Sequence, residues 1–512
     1  MSRKPTLTLA LSQRARERAL RFSPSPYQLV ALDALAGAAA YALAMLLRFI
    51  DEGVPATYAQ RLLPWLLIGA LVQVGVGELM SRLRRPGSRL ARRPVAPYVA
   101  AALAGFMPLV AINELLGEPW HLPHSIVVIA PVLAATASAA LRMAANRSIE
   151  PEELLSRPIV ELDVEACAPV LAGKRVLITG GAGSIGAELA RQVLAVGPAA
   201  LLAVDMNETG LYELEGDLGH NSVLRTCIAD VADERRMREL FERERPHVVF
   251  HAAAYKHVPL VEANPDQAFV SNVLGTLFIC EAASAVGTDR VVVISTDKAV
   301  NPSSFMGLTK RVAELIATAV GQGAETSFSV VRFGNVLGSR GSVVPTLLRQ
   351  IDGGGPITIT HPEVRRFFMT LSEAASLVVQ SAALGSPGGV FVLDMGPDVL
   401  ITELAERLMR LKGLRPGHDI AVVHTGLRPG EKLREELVAA DERLLPTAHP
   451  AVRRVAVARG VDAARLIGGV RELDEQRRAG VLRAPDYPPR LRELVDSTLA
   501  AQNQVQVAEF VP

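Results

Sequence analysis

Four apolar runs open the chain, at 27–49, 62–79, 96–113 and 125–141, with charged residues mostly in the gaps between them. Each is about 17–23 residues long. At about 1.5 Å of rise per residue, such runs cover, or just cover, the roughly 30 Å hydrocarbon core of a bilayer. The pattern predicts four membrane-crossing helices within 1–145. The gaps carry a sign. Arg3, Lys4, Arg14, Arg16, Arg18 and Arg21 precede the first run, and Arg82, Arg84, Arg85, Arg89, Arg92 and Arg93 lie between the second and third. The other two gaps hold Asp51, Glu52 and Arg61, and Glu114 and Glu118. The excess of arginine puts the N-terminus, the 80–95 loop and everything after the fourth run on the cytoplasmic side. The first run is too long and too far in for a cleaved signal. Asp33, the one acid inside a run, is expected to pack against a neighbouring helix rather than mark a polar pathway.

After a polar linker at 146–173 the period changes. Short β-rich runs at 175–179, 201–204, 223–228, 248–250, 290–294 and 329–332 alternate with amphipathic stretches such as 184–194, 234–243 and 310–320. That alternation predicts a parallel sheet with helices on both faces, a Rossmann-like doubly wound α/β domain over 174–445. From about 336 to 440 the alternation breaks, as a small substrate-capping region would break it. Residues 446–512 are charged and regular, with helical stretches near 461–479 and 488–503. This tail carries no chemical motif and is expected to pack or to serve a homo-oligomer.

The first β-rich run ends in Thr179-Gly180-Gly181-Ala182-Gly183-Ser184-Ile185-Gly186 and opens a helix. Glycines there allow a tight turn and a close backbone approach to a pyrophosphate, while the helix start offers unpaired N–H groups. Asp205 follows about 20 residues past Gly186, placed to bind ribose hydroxyls and to repel a 2′-phosphate. NAD is favoured over NADP. Gly180, Gly183, Ser184, Ile185, Gly186 and Asp205 are therefore candidate cofactor residues, with Asp230 and Val231 after the third run and Ala252 and Ala253 after the fourth. A triphosphate loop needs Lys-Ser/Thr after its last glycine, but Ala187-Glu188 follows Gly186.

Charge and cysteines add exclusions. A net charge of +1 offers no electrostatic footprint for nucleic acid. Cys167, Cys227 and Cys280 are odd in number and widely spaced, so neither a disulfide framework nor a metal site is expected.

The fifth β-rich run leads into Ser295-Thr296-Asp297-Lys298, then Ser303-Ser304-Phe305-Met306-Gly307-Leu308-Thr309-Lys310. An acid and a lysine at a strand's carboxyl end lie where a parallel sheet presents its ligand crevice. With TGGAGSIG, HAAAYKHVPL, NVLGT, ISTDKAVNPSSFMGLTKR, VRFGNVLGSRGSVVP, ITITHPEVRRFFMT and GLRPGEKLREEL, the chain resembles the extended short-chain dehydrogenase/reductases. Within them it is similar to the membrane-bound nucleotide-sugar 4,6-dehydratases of bacterial polysaccharide biosynthesis. The resemblance runs from about 153 to 440. It implies a redox-neutral reaction on a UDP-N-acetylhexosamine, UDP-N-acetylglucosamine above all. NAD takes a hydride from C4, water leaves across C5–C6, and the hydride returns to C6. It further implies that Lys298 takes the C5 proton, Asp297 protonates the C6 hydroxyl and Lys310 binds the nicotinamide ribose. Because Met306 cannot ionise, Thr296 or a water held by Asp297 is expected to relay the C4 hydroxyl proton. Lys256, Asn335, Arg340, Arg428 and Glu431 match positions around the substrate. The implied setting is the bacterial inner membrane, with the enzyme domain in the cytoplasm and the lipid bilayer as partner.

Two departures stand out. Met306 occupies the place of the tyrosine that most short-chain dehydrogenases carry four residues before the lysine, and it cannot ionise. Only 142–173 separate the last apolar run from the sheet, where large relatives insert another nucleotide-binding-like domain. An epimerase returning the hydride to C4, and a non-catalytic nucleotide-sugar sensor, are the alternatives.

Overall fold

The computed structural model describes residues 20–21, 26–50, 54–83, 109–115, 122–145, 148–149, 154–155, 157–219, 221–384, 389–457 and 459–501. In the N-terminal region α1 (Pro26–Arg48) packs on α2 (Ala56–Leu83) and α3 (His124–Ala145). Tyr41 and Trp65 stack inside this bundle with ring centroids 5.8 Å apart, and Asp33 is buried. The outward positions are also apolar: Leu35, Leu46, Leu63, Leu67 and Leu71 are each 59–73% exposed. The first, second and fourth apolar runs are thus helical, while the third, at 96–113, lies outside the described residues except for 109–113.

Length and composition among the described residues support the expectation of four spans only in part. Two helical stretches among the described residues pass that test, Val30–Arg48 and Pro265–Ala285, and the shorter Leu63–Val76 and Ser125–Ala137 do not. The second of the pair is 72% buried and is the core helix of the sheet domain.

The sheet domain begins with α4 (Val164–Leu171) and runs β1 (Arg175–Thr179), α5 (Ser184–Val196), β2 (Ala200–Asp205), α6 (Glu208–Leu218), β3 (Leu224–Ile228), α7 (Glu234–Glu244), β4 (Val248–His251), α8 (Gly275–Ala285), β5 (Arg290–Ile294), α9 (Phe305–Val320) and β6 (Ser327–Arg332). The remainder runs α10 (Val343–Asp352), β7 (Ile357–Ile359), α11 (Leu371–Ala383), β8 (Gly389–Leu393), α12 (Ile401–Leu411), β9 (Val422–His424), β10 (Glu442–Pro446), β11 (Val452–Val457), α13 (Ala463–Arg478) and α14 (Tyr487–Thr498).

The main sheet has nine strands in the order β10-β11-β8-β6-β5-β4-β1-β2-β3. From β8 to β3 every pairing is parallel. Runs such as Val-Leu-Ile and Val-Val-Val-Ile suit strands covered on both faces, because neither face meets water. α7, α8 and α9 cover one face through Phe241, Phe278 and Ile316, and α5 and α11 cover the other through Leu189, Val193 and Val378. Full burial of each such side chain contributes about 1.5–3 kcal/mol. A third apolar cluster, built by α10, α12, β7 and β9, forms the capping unit.

Two boundaries differ from expectation. The hairpin β10–β11 joins the sheet antiparallel to β8, so the expected break at 445 falls inside a pair of sheet strands. β10 is an edge strand with Leu444 and Leu445 exposed, and it lacks the inward/outward alternation that would have marked it as a strand. The stretch expected as a linker is also built in: α4 packs on α5 and α11, and Arg157 pairs with the buried Glu373.

Candidate active site

The order of the sheet reverses beside β1, where the chain moves outward first to β2 and β3 and then, from β4, to the other side. A crevice forms at the carboxyl ends of the strands at such a point. β1 ends in Thr179 and the glycine turn fills the crevice. Gly180 has φ +68°, and a Cβ there would lie 2.6 Å from Ala253 N; a Cβ on Gly186 would lie 2.1 Å from Gly180 O. Only glycine lets turn and helix close up this far. Gly183 caps α5 with no side-chain hydrogen bond, which leaves the helix N–H groups to a ligand. Asp205 Oδ2 accepts from Ala182 N at 3.0 Å and Oδ1 from Asn207 N at 2.9 Å, so the acid holds the turn's shape and keeps lone pairs for a hydroxyl. Gly180, Gly183, Asp205, Asp230, Val231, Ala252 and Ala253 line one cavity together. These residues fit a dinucleotide: small groups where it must pass, donors at the phosphate position and an acid at the ribose.

Behind this cradle a buried polar stitch ties β1 to β4. Thr276 Oγ1 donates to Asn272 O at 2.7 Å, so His251 Nε2 donates to Thr276 Oγ1 at 3.0 Å, and His251 Nδ1 accepts from Thr179 Oγ1 at 2.7 Å. Burial and the nearby Lys310 charge push the His251 pKa down to about 3, which matches this neutral tautomer. A π-helical turn, Phe269–Leu274, precedes α8 and carries Asn272, whose side chain accepts from Tyr255 N and donates to Tyr255 O and Thr309 Oγ1. The loop that presents Lys256 is fixed this way.

A second cavity, lined by Ile185, Ala252, Thr296, Lys298, Met306, Lys310 and Asn335, continues the first. Met306 and Lys310 are four apart on α9 and share its inner face. Gly307 brings α9 against the turn after β5, since a Cβ there would lie 2.2 Å from Lys298 O. Lys310 is buried. Burial lowers its pKa to about 8, with Glu314 opposing the fall.

The turn itself is a 3₁₀ segment, Asp297–Ala299, capped by Thr296. Thr296 Oγ1 donates to Asp297 Oδ1 at 2.8 Å, and Lys298 Nζ donates to the same oxygen at 2.9 Å and to Asn335 Oδ1 at 3.3 Å. Asp297 is fully buried and its Oδ2 has no partner among the described residues.

A third cavity, on the capping side, is lined by Lys256, Lys298, Asn335, Thr360, Arg366, Arg428, Glu431 and Glu435, among others. Lys256, Lys298 and Asn335 line both this cavity and the second, so they stand where the two spaces meet. Burial, reinforced by Arg340, lowers the Lys256 pKa.

Among the expected substrate residues, Lys256, Asn335, Arg428 and Glu431 come together in this lining. Glu431 arrives already engaged: Oε1 accepts from Arg366 Nη2 and Thr360 Oγ1, both at 2.9 Å. Arg340 does not join them in the lining. Its N–H donates to Ser184 Oγ at 3.1 Å and its guanidinium faces Glu213 at 3.7 Å, so it bridges the capping unit to the start of α5. Arg366 and Glu435 escape the sequence reading. Both lie inside motifs already singled out, ITITHPEVRRFFMT and GLRPGEKLREEL, but nothing in their spacing separates a lining residue from its neighbours.

A nine-stranded doubly wound sheet with a glycine cradle and a Thr-Asp-Lys turn at its carboxyl edge defines a Rossmann-like protein of the short-chain dehydrogenase/reductase type. Residues 176–457 match the family described as "Polysaccharide biosynthesis protein", and the chain belongs to that family. It is 47% identical over 300 residues to a probable polysaccharide biosynthesis protein EpsC of Bacillus subtilis, covering 58% of this chain and 50% of that one. The chain thus spans about half the length of that relative. It is 36% identical over 279 residues to a UDP-glucose 4-epimerase of Rickettsia rickettsii, covering 52% of this chain and 79% of that one. It is 33% identical over 275 residues to an inverting UDP-N-acetylglucosamine 4,6-dehydratase of Campylobacter jejuni, covering 53% of this chain and 79% of that one. The X-ray structure of Pen from Bacillus thuringiensis superposes with a TM-score of 0.52 at 33% identity, covering 56% of this chain and 89% of that chain.

Proposed function

We propose that this chain is a membrane-anchored, NAD-dependent nucleotide-sugar 4,6-dehydratase acting on a UDP-N-acetylhexosamine, with UDP-N-acetylglucosamine the first substrate to test. The observation that carries this reading is the position of Lys298. It stands where the cofactor-side and capping-side cavities meet, held between Asp297 and Asn335. A sugar lying across that junction puts C4 towards the cradle and C5–C6 towards the amine.

NAD, when bound, supplies the acceptor for the C4 hydrogen and the donor that returns it at C6. The chain's own residues then divide the proton work. Thr296 Oγ1 already donates to Asp297 Oδ1, so it can take the C4 hydroxyl proton while passing its own to the carboxylate. Lys298, as the free amine, takes the C5 proton made acidic by the neighbouring ketone. A carboxylic acid beside it gives the C6 oxygen the proton with which it leaves as water. Lys310 faces the nicotinamide ribose, and Asp205 the adenosine ribose. Arg366 and Arg428 on the capping side suit a diphosphate, whose oxygens a guanidinium can bind in pairs. The broad apolar outer face of α1, α2 and α3 supports a lipid setting, because patches of this kind are rare on proteins surrounded by water.

The decisive experiment incubates the detergent-purified full chain with NAD and UDP-N-acetylglucosamine and weighs the product. Loss of one water is the expected result. A new sugar of unchanged mass would make the chain an epimerase, and binding without turnover would make it a sensor.

Met306 is buried at 3% exposure and lines the cofactor-side cavity. It has no proton to give, so Met306→Ala is expected to keep kcat within about tenfold of the parent at a temperature where both are folded, whereas loss of a general acid or base costs about 10²–10⁴-fold. A fall beyond about 100-fold in Met306→Ala would show that the thioether does more than pack.

A further inference from the structure

Two buried carboxyl groups flank the Lys298 amine, and each has one oxygen without a partner among the described residues: Asp297 Oδ2 and Glu435 Oε2. They differ in where they lie. Asp297 is fully buried and lines neither of the two cavities that meet at Lys298, and its Oδ2 sits under Gly334, where a Cβ would come within 3.1 Å. Glu435 is 5% exposed and lines the capping-side cavity together with Lys298, Thr360 and Arg366. Its Oε1 is 3.7 Å from Lys298 Nζ. A carboxyl so buried and so lightly hydrogen-bonded favours its neutral form. Burial raises the Glu435 pKa; Lys298 opposes the rise, Asp297 adds to it, and Arg366 and Lys432 oppose it again. Asp297 Oδ1 instead accepts from both the Thr296 hydroxyl and the Lys298 amine.

We propose that Glu435 is the general acid that protonates the departing C6 oxygen, and that Asp297 receives the C4 proton and positions Lys298. The proposal rests on the dehydratase reading. In the 4-keto sugar the C5–H bond breaks, with its proton going to the Lys298 amine. Its electron pair forms the C5–C6 double bond as the C6–O bond breaks, and the oxygen takes the Glu435 proton and leaves as water. Lys298 later returns its proton to C5. Asp297 then holds the proton released by the C4 hydroxyl and Glu435 lacks one. Lys298, which touches Asp297 at 2.9 Å and faces Glu435 at 3.7 Å, carries that proton across and resets the site. Over the cycle the C4 hydroxyl proton ends in the water, as the stoichiometry demands.

The test uses the full chain with UDP-N-acetylglucosamine in D₂O, following water loss by mass and the C5 hydrogen by NMR. Glu435→Gln keeps the shape and removes the acid. Water loss is expected to fall about 100-fold or more, while unconverted sugar still gains deuterium at C5 because Lys298 is intact. Glu435→Asp restores part of the elimination. NAD affinity reports that each variant is folded. The parent's elimination falls at high pH as Glu435 loses its proton, and Glu435→Gln lacks that limb. Elimination by Glu435→Gln within about tenfold of the parent overturns the proposal. So does Glu435→Gln losing exchange together with elimination, or Asp297→Asn being the variant that exchanges without eliminating. If the parent itself binds the sugar and releases no water, the dehydratase reading fails first and the proposal falls with it, a result the parent alone reveals.

Discussion

Lys298→Ala is expected to lower kcat by about a thousandfold to ten-thousandfold, at the upper end of what one acid–base group supplies. The size follows from how much converges on this amine. It is the amine between two buried carboxyl groups, it lines both cavities, and no other lysine among the described residues contacts Asp297 in an ion pair. The loss should appear in kcat. NAD affinity should hold, because the glycine turn and Asp205 are built by β1, β2 and α5, and the side-chain partners of Lys298 among the described residues are Asp297, Asn335 and Glu435. The variant should also lose deuterium exchange at C5, which separates it from Glu435→Gln. Asp297→Asn keeps the outline of the side chain but replaces the charged acceptor of Thr296 and Lys298, so turnover should be abolished here as well. Full activity in both variants would remove the acid–base assignment altogether. An intact exchange rate in Lys298→Ala would move the base elsewhere on the cavity wall.

The reason one turn can hold this much chemistry lies in its neighbours. Residues 300–304 are pinned from the capping side: Lys432 Nζ donates to Val300 O at 3.0 Å, Ser303 Oγ to Gly430 O at 2.8 Å, and Asn301 Nδ2 to Glu436 Oε2 at 2.9 Å. The segment that carries Glu435 is therefore bolted to the turn that carries Lys298. Their 3.7 Å approach is a consequence of loop docking, although 136 residues of sequence lie between 298 and 435.

That separation along the chain divides the features that sequence pattern reveals from those that docking alone decides. The parallel sheet is legible because buried strands such as Val291–Ile294 are unbroken apolar runs and amphipathic helices separate them. The cradle is legible because a strand, a glycine turn and a helix are consecutive. Thr296, Asp297 and Lys298 are legible because they sit together at a strand end. Glu435 and Arg366 are not, because capping loops follow no period and their lining positions are chosen by tertiary docking. β10 escapes for a related reason: an edge strand with two exposed leucines and a terminal proline has no alternation to report.

Arg332→Met is the change expected to cost the fold most, about 3–5 kcal/mol. Arg332 is fully buried at the end of β6. Its Nε and Nη2 donate to the two oxygens of Glu314 on α9, both at 2.8 Å, and its Nη1 and Nη2 to the two oxygens of Glu442 on β10 at 2.7 and 2.9 Å. Arg311 pairs with Glu314 at 2.9 Å, so two arginines balance two glutamates. Removing one arginine strands carboxylate charge where water cannot reach it, whereas replacing the whole set with apolar residues need not destabilise. The triple variant Arg332→Met, Glu314→Leu, Glu442→Leu should therefore be more stable than Arg332→Met alone, and equilibrium urea unfolding of the folded sheet signal measures the difference. Acid adds a second check. Burial pushes the Glu314 pKa up, but the charge and hydrogen bonds of Arg332 outweigh it and hold the group at about 2. A depressed carboxyl pKa contributes stability that is complete above the unfolded value near 4.3 and lost as pH falls through about 2. The parent should lose that contribution across this window. In Arg332→Met the sign reverses, because protonating a stranded carboxylate relieves it, and the deficit should shrink as pH falls from 7. Activity should fall along with stability, since Ser295 Oγ donates to Glu314 Oε1 at 2.6 Å and leads directly into Thr296, Asp297 and Lys298. An unfolding midpoint unchanged in Arg332→Met would mean that the cluster is no more than balanced, and that the catalytic turn is held by the capping loop alone.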